Sequence, residues 1–368
     1  MRIGVLGGGQ LGRMLALAGY PLGLTFRFLD PSPEACAGQV GELLVGPFED
    51  KGLLERFAQG LDLVTYEFEN VPVAAARFLE ALLPVYPPPK ALEVAQDRLL
   101  EKTFFRGLGV PTPPFHPVDR LPDLEEGLKH VGLPALLKTR RGGYDGKGQA
   151  LVRSWGEAEA AFHALGGKGL ILEGFVPFDR ELSILAVRGT TGEVAFYPLV
   201  ENRHQGGILR LSLAPAPGAS EALGKKAEGY ARKALEALGY VGVLALEFFQ
   251  VGEELLFNEM APRVHNSGHW TIEGAETSQF QNHLRALLGL PLGSTAPRGH
   301  SAMVNLIGLR PDFQEVLKVP GAHLHWYGKA VRPGRKVGHI TLRRDSREAL
   351  EEALPLVLQL AQIRYSGE

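Results

Sequence analysis

The sequence predicts an α/β protein (α+β taken over its whole length). An N-terminal doubly wound parallel sheet leads into a mixed central region and a small β-rich C-terminal domain. Three observations carry this. Short apolar strands alternate with helices up to the proline cluster PVYPPPK at 84–90, the pattern of a parallel sheet with crossover helices. From 180 to 214 strand follows strand without a helix between. The 368 residues suffice for two or three domains at roughly 100–200 residues each.

In order, RIGVL is a strand and GGGQLG opens the helix QLGRMLALAGYPLG. LTFRFLD is a strand ending on Asp30, and GELLVG and DLVTYE are further strands around the helix EDKGLLERFAQG. PVYPPPK breaks the pattern and sets the first boundary, giving a domain 1–89. ALEVAQDRLLEKTFFRGLG reads as one helix, and VPTPPFHPV as an extended hinge between lobes. Residues 134–138 form a strand, then a glycine-rich loop and a partner strand, the helix WGEAEAAFHALGG and the strand GLILEGFV. ASEALGKKAEGYARKALEALG is a long amphipathic helix. VGVLALEFFQ and ELLFNEM are strands flanking Gly252-Glu253, TSQFQNHLRALLGLPLG is helical, and the tail returns to short strands with a final helix from about Ser346.

The net charge of -2 gives no bulk attraction to nucleic acid or to an anionic membrane. The lone cysteine, Cys36, excludes an internal disulfide and fits a buried structural thiol in a reducing compartment. MRIGVLGGGQLG is too short in its apolar run for a signal peptide, and no stretch approaches the ~20 apolar residues of a bilayer span. A soluble, cytoplasmic protein is expected.

Five motifs carry chemistry. Gly7-x-Gly9-x-x-Gly12 follows a strand and opens a helix, so free N–H groups favour an anion there. Its spacing and Asp30 match the dinucleotide fingerprint; a dinucleotide, another phosphate and plain packing all stay open. In LKTRRGGYDGKGQAL, Lys138 ends a strand, glycines 142, 143, 146 and 148 let backbone amides approach a polyphosphate, and Arg140, Arg141 and Lys147 add charge. The loop departs from the Walker pattern GxxxxGK[ST]. With Gly252-Glu253 as a two-residue turn, Glu247 falls opposite Asn258, with Glu259 on the next rung. Carboxylates that close repel unless a cation lies between them, and hard oxygen donors suit Mg²⁺ shared with phosphates. MAPRVHNSGHW crowds Arg263, His265, Asn266, Ser267 and His269 onto one loop, an anion or substrate site in character, with transition-metal ligation and loop-stabilising hydrogen bonds as the alternatives. KVGHITLRR alternates Lys336, His339 and Arg343 into a strand, for which a solvated edge is the bland alternative. No GxSxG elbow occurs, and Cys36 has no neighbouring histidine in the sequence, so a nucleophilic side chain is unsupported.

GGGQLGRM, DR at 97–98, KTRRGGYDGKGQ at 138–149 and NEMAPRVHNSGHWTIEGAETSQFQNHLRA at 258–286 together resemble the ATP-grasp enzymes. Within them the chain is most similar to the 5-(carboxyamino)imidazole ribonucleotide synthases of purine biosynthesis. Val264 stands where many members have proline. The resemblance implies three domains: 1–89, a two-lobed ATP-grasp region 90–290 with a mobile lid lobe at about 110–180, and 291–368.

It also implies the site. Lys138 would hold phosphate oxygens of ATP, and Gly143, Tyr144, Asp145, Gly146, Lys147, Gly148 and Gln149 would fold over the nucleotide. Glu173, Gly174, Phe175 and Val176 would read the adenine edge through their backbone, and Glu181 would take the ribose hydroxyls. Arg98, His204, Asn258 and Glu259 would complete the ATP site, with Mg²⁺ on Glu247 and Glu259. The aminoimidazole ribonucleotide's 5′-phosphate would sit at the glycine turn, with Gln10 and Leu11 at its lip and Lys336 and Arg343 assisting. Glu67 and Glu69 would contact its ribose. Tyr144 and Asp145 would lie near the amine, while Arg263 and the loop His265, Asn266, Ser267 would face bicarbonate and phosphate. Catalysis would then fall to Lys138, Tyr144, Asp145, Lys147, Arg263 and Lys336.

The implied reaction carboxylates the ribonucleotide's amine with bicarbonate and ATP through carboxyphosphate, with the carboxyl group captured directly or as freed CO₂. A homodimer without nucleic acid or membrane partners is expected. The alternatives are a formate-using ATP-grasp ligase on a related purine intermediate, an NAD-dependent oxidoreductase, and a nucleotide-binding regulator without turnover.

Overall fold

The computed structural model describes residues 1–363; the last five residues of the expected 291–368 domain lie outside the described residues. The chain opens with β1 (Arg2–Leu6), α1 (Gln10–Gly19), β2 (Thr25–Asp30), β3 (Glu42–Val45), α2 (Lys51–Ala58), β4 (Leu63–Tyr66) and α3 (Val73–Glu80). The four strands form a parallel sheet in the order β3-β2-β1-β4, as expected of a doubly wound unit. The apolar positions Leu11, Met14 and Leu15 place one face of α1 in the core, where it meets Phe280, Leu284 and Leu287.

Next come α4 (Pro89–Ala95), α5 (Arg98–Gly107), β5 (Phe115–Val118), α6 (Leu121–Val131), β6 (Ala135–Thr139), β7 (Gln149–Val152), α7 (Trp155–Ala164) and β8 (Leu170–Gly174). The expected single helix over 91–109 is thus two. Asp97 is extended (φ -128°, ψ 114°), and its carboxylate accepts from the Leu99 and Leu100 N–H groups, a cap that ends one helix and starts the next. β5-β8-β6-β7 form a separate antiparallel sheet, the small lobe.

The remainder is β9 (Arg180–Arg188), β10 (Val194–Phe196), β11 (Val200–Gln205), β12 (Ile208–Ala214), α8 (Glu221–Leu238), β13 (Gly242–Val251), β14 (Glu254–Ala261), α9 (Thr271–Gly274), α10 (Gln279–Leu287), β15 (His300–Ile307), α11 (Phe313–Lys318), β16 (Ala322–Trp326), β17 (Lys336–Arg344) and α12 (Arg347–Leu360). Its strands make one large antiparallel sheet, β14-β13-β9-β11-β12-β15-β17-β16, with β10 also paired to β9. The C-terminal strands therefore continue the central sheet. β17 lies between β15 and β16 with His339 fully buried, so the solvated-edge alternative for KVGHITLRR does not hold. The sequence reading does not anticipate α3, α6 and α11. Each is short or starts beside a proline (Pro72, Pro122 and Pro311), which reads as loop and hides the helical periodicity.

His283 of α10 ties the parallel sheet to the large antiparallel sheet. Its Nδ1 accepts from the Val243 N–H of β13 at 3.0 Å, which places the ring proton on Nε2, 2.9 Å from Thr65 Oγ1 of β4. Burial pushes its pKa down to about 3. Because a base depressed in the fold binds its proton only on unfolding, stability is undiminished above the ordinary histidine pKa near 6.5 and falls as pH drops from there toward 3. His283→Gln should lower the thermal midpoint at pH 7, and should lose less than wild type between pH 6.5 and 4 in calorimetric scans. An equal or steeper acid loss in the variant contradicts the assignment.

Candidate active site

The floor of the site is the β13–β14 hairpin. Gly252 supplies φ +60° at the turn, and Val251 pairs with Glu254 as expected. The register then departs from the simple count. Phe248 pairs with Phe257 but Glu247 pairs with Glu259, so Asn258 is an extra, bulged residue. Strand side chains alternate between faces, and a regular ladder puts Glu259 on the face away from Glu247; the bulge brings both to one face, directly opposite. Burial first, and then the Glu259 charge, raise the Glu247 pKa, with His204 pulling the other way. Arg98 Nη1 is 3.8 Å from Glu259 Oε2, and His265 Nε2 is 4.0 Å from Glu247 Oε1. Two facing carboxylates of this kind fit a hard divalent cation such as Mg²⁺.

The roof is the small lobe. Lys138 on β6 is buried and ion-paired to Glu173 of β8, whose other oxygen is 2.8 Å from Lys102 Nζ of α5. Burial alone raises a carboxyl pKa, but the two ammonium groups hold Glu173 at about 2. Lys102 also donates at 2.7 Å to the carbonyl of Asn258, so one fully buried lysine joins roof to floor at the bulge. Nothing in the motif reading singled out Lys102; the signal was a lysine four residues after Arg98 on the apolar helix RLLEKTFF.

The basic loop closes the front. Arg140 and Arg141 do not face the cavity: Arg140 Nε and Nη2 lie 3.0 and 2.6 Å from the Asp97 carboxylate, and Arg141 Nη2 lies 3.6 Å from it. They anchor the base of the loop to the α5 cap. Asp145 adopts φ +46° and rests on the β11–β12 turn, where a Cβ at Gly207 would meet the Asp145 carbonyl carbon at 2.7 Å. Lys147 Nζ donates to the Tyr144 hydroxyl at 3.0 Å, and Tyr144 is 57% exposed.

Roof, floor and loop enclose a cavity of about 580 Å³. Arg98, Lys138, Gly143, Tyr144, Asp145, Gly146, Gln149, Glu181, His204, Glu247, Asn258 and Glu259 line it, as do Gln10, Leu11, Glu67, Glu69, Arg263, His265, Asn266 and Lys336. His204 Nδ1 is 2.8 Å from Glu181 Oε2; burial opposes its charge, but this bond raises its pKa overall. Lys147, Gly148, Glu173, Gly174, Phe175, Val176 and Ser267 do not line the cavity. Glu173 and Ser267 are buried behind it, and Phe175 and Val176 lie past the end of β8 at Gly174.

Arg343 is not brought to the site. It lies seven residues along β17 from Lys336, roughly 20 Å at the strand repeat, and is held by the Arg298 carbonyl at 2.6 Å and Asp345 at 2.8 Å. The basic residue beside the glycine turn is instead Lys329, whose Nζ is 3.0 Å from Gln10 Oε1. The turn's own amides are partly used. Gly8 N–H donates to Asp30 at 2.8 Å and Gly9 N–H to Glu67 at 2.8 Å, so the acid expected of a dinucleotide site caps its own loop. Glu69 is engaged by Arg263 Nε at 2.5 Å and Nη2 at 3.2 Å.

Lys102→Met should lower the thermal midpoint by several degrees, because it leaves buried Glu173 with one partner, and removing one member of a buried pair costs about 3–5 kcal/mol. A midpoint within one degree of wild type would show that the roof–floor bridge carries little stability.

Family models match the chain in three stretches: a ribonucleotide synthetase preATP-grasp domain over 1–96, an ATP-grasp domain over 103–280, and a phosphoribosylaminoimidazole carboxylase C-terminal domain over 301–353. The N5-carboxyaminoimidazole ribonucleotide synthase of Pseudomonas aeruginosa is 54% identical over 98% of this chain and 100% of its own. The crystal structure of the N5-carboxyaminoimidazole ribonucleotide synthetase from Thermus thermophilus is 81% identical, with TM-score 0.96 over 100% of this chain and 99% of that one. An Aspergillus clavatus synthase in complex with ADP and 5-aminoimidazole ribonucleotide is 34% identical, with TM-score 0.90 over 98% of this chain and 99% of that one. With that identity along its whole length, the chain belongs to the N5-carboxyaminoimidazole ribonucleotide synthase family of ATP-grasp enzymes.

Proposed function

We propose that the protein carboxylates 5-aminoimidazole ribonucleotide with bicarbonate, converting ATP to ADP and phosphate. One observation carries the assignment of roles: a single cavity joins Lys138 and the Glu247/Glu259 pair at one end to the glycine turn and Lys336 at the other. Two anionic substrates thus meet in one enclosure, with Asp145, Arg263 and His265 also on its wall.

The nucleotide lies between the small lobe and the β13–β14 hairpin. Lys138 neutralises phosphate oxygens, and Glu181, fixed by His204, faces the ribose. Mg²⁺ held by Glu247 and Glu259 would neutralise charge on the transferring phosphate. Arg263, oriented by Glu69, steers bicarbonate. Its oxygen attacks the γ-phosphorus and ADP leaves, after which the amine nitrogen bonds to the carboxyl carbon while phosphate departs and the nitrogen loses a proton. The chain's contribution is preorganised charge and exclusion of water by the closed loop. The ribonucleotide's phosphate sits on the free amides at Gln10 and Leu11, with Lys329 and Lys336 as counter-charges; Glu67 stiffens the turn. Lys336 lies 3.9 Å from Asp145, linking this end to the loop.

We extend the proposal to the working units 1–89, 90–290 and 291–368, supported by the extents of the three family matches. A cytoplasmic homodimer is supported by the family resemblance, and the cytoplasm also by the single buried Cys36. No helix among the described residues is long and apolar enough to cross a membrane.

ADP formation should require both bicarbonate and the aminoimidazole ribonucleotide; support of turnover by formate in place of bicarbonate would favour the other ligase. Glu259→Gln should cut kcat by about 10²-fold or more with an unchanged circular dichroism spectrum, and near-normal turnover would remove the metal role. Lys138→Ala should weaken ATP binding about 10- to 100-fold in calorimetric titration, as expected for a lost charge-assisted bond, and ribonucleotide binding far less. Equal losses for both ligands contradict the role given to Lys138.

A further inference from the structure

From the cavity wall, where Asn202 and His265 lie, a chain of hydrogen bonds that the reaction scheme above does not use runs into the buried sheet. Ser212 Oγ donates to Asn202 Oδ1 at 2.7 Å, and Asn202 Nδ2 donates to Ser183 Oγ at 2.9 Å. Ser183 Oγ donates to Ser267 Oγ at 2.8 Å, and Ser267 Oγ lies 2.7 Å from His265 Nδ1. Ser183, Ser212 and Ser267 are fully buried, and Asn202 is 3% exposed. The residues come from β9, β11, β12 and the loop after β14, so the chain exists only in the folded sheet.

Hydroxyls and a carboxamide can each point either way, so most of the chain is symmetric in principle. One member is not. The Ser267 backbone N–H, which can only donate, lies 3.1 Å from His265 Nδ1. Nδ1 must therefore present its lone pair. That choice propagates: the Ser267 hydroxyl also donates to Nδ1, Ser183 must donate to Ser267, Asn202 must turn its NH₂ toward Ser183, and Ser212 donates to the amide oxygen. The His265 backbone is gripped as well. Its N–H donates to Gln279 Oε1 at 2.9 Å, and its carbonyl accepts from Gln279 Nε2 at 2.7 Å.

We infer that the Ser267 backbone N–H fixes His265 in the tautomer with its proton on Nε2, and that Ser183 and Asn202 are positioning residues that aim the Ser267 hydroxyl at Nδ1 and hold the ring, so that the ring presents a hydrogen-bond donor to the oxyanion substrate in the cavity and does not act as a base. Nε2 is the ring nitrogen that faces the cavity, 4.0 Å from Glu247 Oε1. A donor there complements the oxygens of bicarbonate and of the transferring phosphate, while a lone pair would repel them. The tautomer stands on geometry alone; its catalytic consequence rests on the function proposed above.

The test is a long-range ¹H–¹⁵N spectrum of ligand-free protein labelled at histidine nitrogen, with the His265 signals assigned by loss in His265→Gln. The expected result is protonated Nε2 and unprotonated Nδ1 in wild type. Ser183→Ala should then keep the proton on Nε2 but shift the Nδ1 resonance as the Ser267 hydroxyl loses its fixed direction, with kcat reduced roughly tenfold and the KM for ATP changed by less than about twofold, the scale of lost outer-shell support. A proton on Nδ1 in wild type overturns the inference, and that measurement needs no variant to fold. Wild-type kcat in Ser183→Ala, or equal losses in kcat and ATP affinity, also overturns it. The Nε2–H tautomer in a wild type that shows no bicarbonate-dependent turnover would refute the function and leave the tautomer standing.

Discussion

Two carboxylates facing each other across one rung of an antiparallel ladder are the constraint on which this site depends. Glu247 and Glu259 sit about 5 Å apart by strand geometry, partly withdrawn from water, with Arg98 of α5 3.8 Å from Glu259 and His265 of the loop after β14 4.0 Å from Glu247. Such a pair is held together by the fold against its own repulsion, which raises the affinity for a proton or a cation. The fold accepts that cost through the bulge at Asn258. Without the extra residue the second acid would turn to the opposite face, and the hairpin would be an ordinary one.

The rest of the molecule serves this hairpin. Lys102 reaches the bulge carbonyl from α5 and, through Glu173, fixes Lys138 on the opposing lobe. Asp97 caps α5 and simultaneously collects Arg140 and Arg141 at the base of the loop. One short segment, Asp97 to Lys102, therefore sets floor, roof and front together. The parallel sheet is fastened to the same body through His283 and the α1–α10 packing, which puts its glycine turn at the far end of the shared cavity.

Much of this was legible in the sequence. The strand–helix alternation of the first domain and the hairpin around Gly252 follow from local periodicity and turn chemistry. Glu247 and Glu259 stand out as acids inside apolar runs, which must have partners, and Lys138 as the charge that ends a strand before a glycine-rich loop. What stayed hidden was set by long-range geometry. A bulge leaves no mark in the sequence NEM, so the count paired Glu247 with Asn258. Arg343 shares a strand with Lys336, but a strand is long compared with a site, and only Lys336 ends in the cavity. The arginines of the loop read as ligand charges because their partner, Asp97, lies more than forty positions earlier. Glu67, expected at the ribose, lines the cavity, and the sequence does not show that its oxygens also accept from Gly9 and Gly12, fifty-eight and fifty-five residues away.

The bulge is proposed to assemble an acid pair for a divalent cation bound together with nucleotide. Titrating Mn²⁺ into the ADP-bound protein and following the free-ion paramagnetic resonance signal measures this directly in wild type and in Glu247→Gln. A tight site is expected on wild type, with a dissociation constant that rises about tenfold or more in the variant, the equivalent of about 1.4 kcal/mol. The same dissociation constant in both proteins would contradict it.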